Sequence, residues 1–126
     1  MVKSVLVVED SETNRQLLCD LLEKVFYCTV ATAADGQEAV DSVKNVNPDL
    51  VLMDVGLPVM DGLAATKILK ADPATSGIPV LALTGFSGAG DEERLLASGF
   101  DGFLAKPFDL AKLLEKMRGY LTQRPL

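Results

Sequence analysis

The 126-residue sequence contains no histidine. It therefore has no imidazole to serve as a general base or a metal ligand near neutral pH. Ser-His-Asp hydrolases and nearly all catalytic zinc sites are excluded on that ground. Only two cysteines occur, Cys19 and Cys28, too few for a disulfide framework. Cys19 falls among leucines in a helical pattern and reads as a buried free thiol. No apolar run approaches the ~18 residues of a membrane span, and Met1-Val2-Lys3 leads straight into a short apolar run with no signal-like segment. A reducing, cytoplasmic location fits both observations. Basic residues are in deficit: Lys and Arg total 12 against 18 Asp and Glu, for a net charge of −6. Such a surface repels phosphate backbones and anionic lipid, so neither direct nucleic-acid binding nor a membrane partner is expected.

What is present is a regular alternation. Ser4-Val5-Leu6-Val7-Val8, Thr29 to Ala33, Leu50-Val51-Leu52-Met53, Pro79-Val80-Leu81-Ala82-Leu83 and Phe103-Leu104-Ala105 are short apolar or β-branched runs and read as strands. Between them lie helical patterns. The first is capped by Ser11 and carries Leu17, Leu18, Leu21, Leu22 and Val25. The second is capped by Asp35, carries Ala39, Val40 and Val43, and is ended by Asn47-Pro48. A third follows Asp61-Gly62 with Ala65, Ile68 and Leu69. A short one spans Glu92 to Ser98 with Gly99 as its stop, and the last is capped by Asp109 and runs through Leu121. Five strands alternating with five helices predict an α/β fold with a parallel sheet covered on both faces by right-handed crossovers. The length suits one domain, 1–126, with a core over 3–121 and a loose tail over 122–126.

In open parallel sheets the ligand site lies beyond the carboxyl ends of the strands. Strand one ends in Glu9-Asp10, strand three in Asp54, strand four in Thr84 and strand five in Lys106. Each residue alone has an ordinary reading: a solvated helix start, a turn cap, a strand-end hydroxyl, a surface lysine. If strands one and three are neighbours, however, Glu9, Asp10 and Asp54 converge. Close carboxylates raise one another's pKa, and a hard divalent cation such as Mg²⁺ relieves the repulsion through oxygen ligands. A metal, a lysine and a hydroxyl around a carboxylate suit a phosphoryl group. The Asp54 carboxylate would attack phosphorus, with Mg²⁺ and Lys106 neutralising the equatorial oxygens and Thr84 hydrogen-bonding one of them.

The ordered set Val7-Val8-Glu9-Asp10, Leu52-Met53-Asp54-Val55-Gly56-Leu57-Pro58-Val59-Met60-Asp61-Gly62, Ala82-Leu83-Thr84-Gly85 and Phe103-Leu104-Ala105-Lys106-Pro107 resembles the motifs of response-regulator receiver domains. The likeness spans Lys3 to Leu121, and the segment Ser11-Glu12-Thr13-Asn14-Arg15 is similar to receivers of hybrid sensor kinases and small cell-cycle regulators. The resemblance implies a flavodoxin-like fold with strand order 2-1-3-4-5. It implies that Asp54 is the phosphoacceptor and that Asp10 and Asp54 ligate Mg²⁺. Gly56 would add its backbone carbonyl, and Glu9 would act mainly through water. It implies switch roles for Thr84 and Phe103, a phosphoryl-facing Lys106 and a cis Lys106–Pro107 peptide. The implied partners are a sensor histidine kinase or histidine phosphotransfer protein and a downstream protein target, with the chain a monomer or weak dimer. Gly56, Gly85 and Phe86 depart from the commonest family residues beside the phosphoryl pocket.

Three other readings are weighed. A haloacid-dehalogenase-like phosphatase also uses an aspartyl phosphate and Mg²⁺, but it places a second acid two residues after the nucleophile, where this chain has Gly56, and its metal-binding acids come late in the chain. A flavodoxin-like electron carrier would set a flavin phosphate against the acidic Glu9–Asn14 loop, with no Trp and two Tyr available for stacking. A phosphorylation-independent pseudo-receiver would be expected to lack part of the polar set, all of which is here.

Overall fold

A computed structural model describes residues 3–85, 90–106 and 108–121, with only the backbone of Asp91 and Leu110. The elements are β1 (Ser4–Val8), α1 (Glu12–Lys24), β2 (Thr29–Ala33), α2 (Gly36–Val46), β3 (Leu50–Asp54), α3 (Gly62–Ala71), β4 (Val80–Thr84), α4 (Asp91–Ala97), β5 (Gly102–Ala105) and α5 (Leu110–Leu121). All strand pairs are parallel, in the order β2-β1-β3-β4-β5. The flavodoxin-like order expected from the resemblance is therefore the observed one, and β1 and β3 are neighbours with Val8 opposite Met53. The expected Lys106–Pro107 peptide geometry, Phe86 and the 122–126 tail lie outside the described residues.

The three central strands are buried on both faces, as their unbroken apolar runs require. Strand periodicity then sorts the core into two layers. Leu6, Val8, Val51, Met53, Val80 and Ala82 face α2, α3 and α4. Val5, Val7, Leu50, Leu52, Leu81 and Leu83 face α1 and α5. The caps act as the sequence predicts: Ser11 Oγ accepts from Asn14 N, Asp35 from Glu38 N and Asp109 from Ala111 N. The Glu38 carboxylate also reaches back past the cap and accepts from Ala34 N. Asn47 and Gly99 end their helices in the left-handed region, at φ 50° and 105°.

Several expectations are corrected. Leu17, Val25 and Ile68 belong to helical apolar patterns but are 47%, 46% and 41% exposed. A helix lying flat on a sheet buries a narrow stripe. On α1 that stripe is Leu18 and Leu22, and Leu17 is turned ~100° away from Leu18. Cys19 is half-buried for the same reason, while Cys28 is the buried thiol. Burial raises the pKa of both thiols, so neither is an activated nucleophile. The fourth strand starts at Val80 rather than Pro79 and includes Thr84, and the fourth helix is Asp91–Ala97. These one-residue shifts are the ordinary uncertainty of element ends.

Candidate functional site

Side-chain alternation explains how the site assembles. Glu9 is two residues past Val7, Asp54 two past Leu52 and Lys106 two past Leu104, so all three lie on the α1/α5 side of the sheet, at its carboxyl edge. Thr84 is two past Ala82, on the opposite side, and Phe103 packs into the layer that contains Ala82. The polar set expected from the sequence is thus divided between two faces of one edge.

One oxygen each from Glu9, Asp10 and Asp54 lies within 4.8 Å of the others. The expected convergence of the three acids occurs. Glu9 is 1% exposed and Asp54 is buried, whereas Asp10 is exposed. Lys106 Nζ stands between two of them, 3.0 Å from Glu9 Oε2 and 3.1 Å from Asp54 Oδ2. Ser11 N donates to Glu9 Oε1 at 3.3 Å and Gly56 N to Asp54 Oδ1 at 3.1 Å. The Asp10 carboxylate has no hydrogen bond or ion pair among the described residues.

The charges act on one another. Burial pushes the Glu9 carboxyl above its ordinary value, and the Asp54 charge pushes the same way. The Lys106 ammonium and the Ser11 N–H only partly offset this. Burial by itself would lower the Lys106 pKa, but hydrogen bonds and attraction from Glu9 and Asp54 outweigh it and hold the ammonium above its usual range. Lys106 supplies one positive charge to three carboxylates, so the cleft keeps an excess of negative charge. Oxygen donors, negative excess and an open side at Asp10 fit a hard divalent cation.

Thr84 is buried at the end of β4, and its carbonyl accepts from Lys106 N at 2.7 Å. Phe103 is half-buried. Gly56 is exposed, and a Cβ built on it meets nothing within 4 Å. Gly62 is different: a Cβ there would lie 2.2 Å from the Asp54 carbonyl oxygen. The sequence motifs assign no role to Arg15. Its Nη1 donates to the Glu9 carbonyl oxygen at 2.8 Å. A cation one helical turn past an N-cap, beside a strand-end acid, was the available signal.

The fold and this cleft define a class, and comparison with known proteins agrees. Residues 5–118 match the response regulator receiver domain family, and the chain belongs to it. It is 43% identical over 121 residues to the polar-differentiation response regulator DivK of Brucella ovis, covering 96% of this chain and 98% of that one. The receiver domain of a sensor histidine kinase from Pseudomonas aeruginosa is 33% identical, with a TM-score of 0.83 over 98% of this chain and 100% of that one. That structure is described with a magnesium ion coordinated in its active-site cleft. A further similar chain comes from the co-crystal structure of the Saccharomyces cerevisiae histidine phosphotransfer protein Ypd1 and the receiver domain of its downstream response regulator Ssk1. It is 30% identical with a TM-score of 0.89, covering 99% of this chain and 92% of that one. This protein is a receiver domain of two-component signalling. No helix among the described residues is long and apolar enough to cross a membrane.

Proposed function

We propose that Asp54 is the phosphoacceptor of this receiver and that Glu9, Asp10, Asp54 and the Gly56 carbonyl hold Mg²⁺ at the cleft. The observation that carries the reading is the three-carboxylate cluster with Lys106 Nζ set between Glu9 and Asp54. A bound Mg²⁺ would supply the positive charge that lets a dianionic phosphoryl group approach three acids. An Asp54 carboxylate oxygen forms the new bond to phosphorus as the bond to a donor imidazole nitrogen breaks, and the released imidazole takes a proton from solvent. Lys106, already held above the Asp54 carboxylate, turns one of its donors to an equatorial oxygen, and the Thr84 hydroxyl meets another. Asp54 has its other oxygen fixed by Gly56 N, which leaves Oδ2 to react once Lys106 shifts.

The donor is a phosphohistidine on a sensor kinase or phosphotransfer protein. The chain acts as a switch that catalyses only its own phosphorylation and dephosphorylation, in the cytoplasm, as a monomer or weak dimer. Thr84 drawn toward the phosphoryl group leaves space on the β4 side for Phe103, altering the surface of α4, β5 and α5 that a downstream protein reads. Intact-mass measurement with acetyl phosphate should show one added phosphoryl group, labile to hydroxylamine, in Mg²⁺ and none in EDTA. An Asp54→Asn variant that still gains the group in equal yield would refute the assignment.

A further inference from the structure

The β1–α1 turn carries a cation that this chemistry does not use. Arg15 folds back across the N-terminus of α1, and its guanidinium donates to the carbonyl of Glu9 at 2.8 Å. That carbonyl belongs to the peptide joining Glu9 to Asp10. On the sheet side the same turn is fixed by Glu9 N, which donates to Ala33 O at 3.1 Å. The two carboxylates it carries are held very differently. Glu9 is gripped through its side chain by Lys106 and Ser11 N. Asp10 is exposed, and its side chain has no partner among the described residues. The direction of the Asp10 carboxylate therefore follows from the orientation of the Glu9–Asp10 peptide. Arg15 is the side chain that fixes that orientation.

We propose that Arg15 is a positioning residue of the cation cleft: by clamping the Glu9 carbonyl it aims Asp10 at Asp54 and so sets the affinity for Mg²⁺. The inference rests on the metal reading given above. Groups that orient metal ligands from behind are worth tenfold to a hundredfold in affinity, and a charge-assisted bond to a carbonyl is a strong member of its kind. The sign of the effect separates this role from a purely electrostatic one. Arg15 is a positive charge beside a cation site. If it acted only through that charge, its removal would tighten Mg²⁺ binding. If it acts as a clamp, its removal weakens binding although a repelling charge has gone.

The test is calorimetric titration with MgCl₂ alone, alongside metal-free thermal melting, for the full chain carrying Arg15→Ala, Arg15→Lys, Asp10→Asn and the Arg15→Ala/Asp10→Asn pair. Arg15→Ala should weaken Mg²⁺ binding about tenfold. Arg15→Lys, which keeps one donor, should recover part of the loss and remains informative if the alanine variant folds poorly. In the Asp10→Asn background, Arg15→Ala should cause no further loss, because two residues acting through one ligand are not additive. Unchanged or tighter Mg²⁺ binding in Arg15→Ala overturns the proposal, as does a lower melting temperature with unaltered affinity. Equal losses in both backgrounds overturn it too. Failure of the metal reading looks different: the unmodified protein would then show no Mg²⁺ binding.

Discussion

The two ends of the sheet treat acidic side chains in opposite ways. At the amino end, Asp49 accepts from Ser4 N at 2.8 Å, and Asp101 Oδ2 accepts from Val80 N at 2.8 Å and from Lys70 Nζ at 2.9 Å. Lys70 also donates to the carbonyls of Ser76 and Ile78, tying α3 to the approach of β4. Each acid there answers a backbone donor that a strand start would otherwise leave open. At the carboxyl end, Glu9, Asp10 and Asp54 bring one oxygen each within 4.8 Å of one another, with one lysine among them. Local hydrogen bonding accounts for the first pattern and leaves the second in deficit. An edge that concentrates like charge where its opposite edge neutralises it is built to receive something from outside.

A large change is expected at the carboxyl end, and it is steric. In Gly62→Ala the new methyl group would meet the Asp54 carbonyl oxygen at 2.2 Å and its carbon at 3.0 Å, both backbone atoms with no freedom to swing aside. A loss of about 3 kcal/mol is expected, at the upper end for overpacking. Chemical denaturation should show it as a lowered midpoint with an unchanged slope.

Next in size is a break at the amino end. Asp101→Ala strips the acceptor from Val80 N and from Lys70 Nζ together. An unsatisfied buried donor costs roughly 1–3 kcal/mol. Mg²⁺ binding should be untouched, and a loss of Mg²⁺ affinity in this variant would undo the separation of the two ends.

Smaller, and opposite in sign, is Glu9→Gln measured in EDTA. The folded protein holds the Glu9 carboxyl above its ordinary 4.5, chiefly through burial. Stability contributed by Glu9 is therefore fully present below pH 4.5 and is lost as pH rises through its higher folded-state pKa. Glutamine imitates the protonated side chain. The variant should melt higher than the unmodified protein near neutral pH, and the gain should fade as pH falls through the raised folded-state pKa and be absent below about 4.5. A gain independent of pH would show that the Glu9 charge is already well neutralised by Lys106, and the contrast between the two ends would weaken.

How far the sequence announced this molecule differs between fold and site. Unbroken apolar strands such as Leu50–Met53 and capped helices such as the one behind Asp35 are local signals, and they located every element within a residue or so. The strand order is not local. Nothing in the composition of β2 says that it pairs with the outer side of β1, and that came from the family likeness. The positions of Glu9, Asp54 and Lys106 on one side of the sheet were latent in strand alternation, since each lies two residues past a residue of the α1/α5 layer. The Lys106 bridge and the Arg15 clamp depend on side-chain reach across 97 and 6 residues, which no spacing rule encodes. Periodicity marks a helical face without its width, so it does not foretell the exposure of Leu17 and Ile68.

The smallest effect on stability is expected at Gly56, and it sharpens the contrast within the carboxyl edge. Gly56 lies in the connection between β3 and α3 and Gly62 opens α3, yet of the two only Gly62 is sterically required. The Gly56 backbone is outside the left-handed region, and a Cβ there meets no atom within 4 Å. Gly56→Ala should therefore change stability by no more than about 0.5 kcal/mol, as surface substitutions do. Its consequence belongs to the chemistry. Gly56 N donates to Asp54 Oδ1, and a Cβ on this exposed residue would start more than 4 Å from that carboxylate, so a side chain here stands at the open mouth of the cleft without touching it. It would obstruct water approaching a phosphoryl group on Asp54. Loss of the added mass after removal of acetyl phosphate should accordingly be slower in Gly56→Ala, and slower again in Gly56→Leu, with melting temperatures nearly unchanged. Equal rates in all three proteins would show that water reaches the phosphoryl group from the Asp10 side instead.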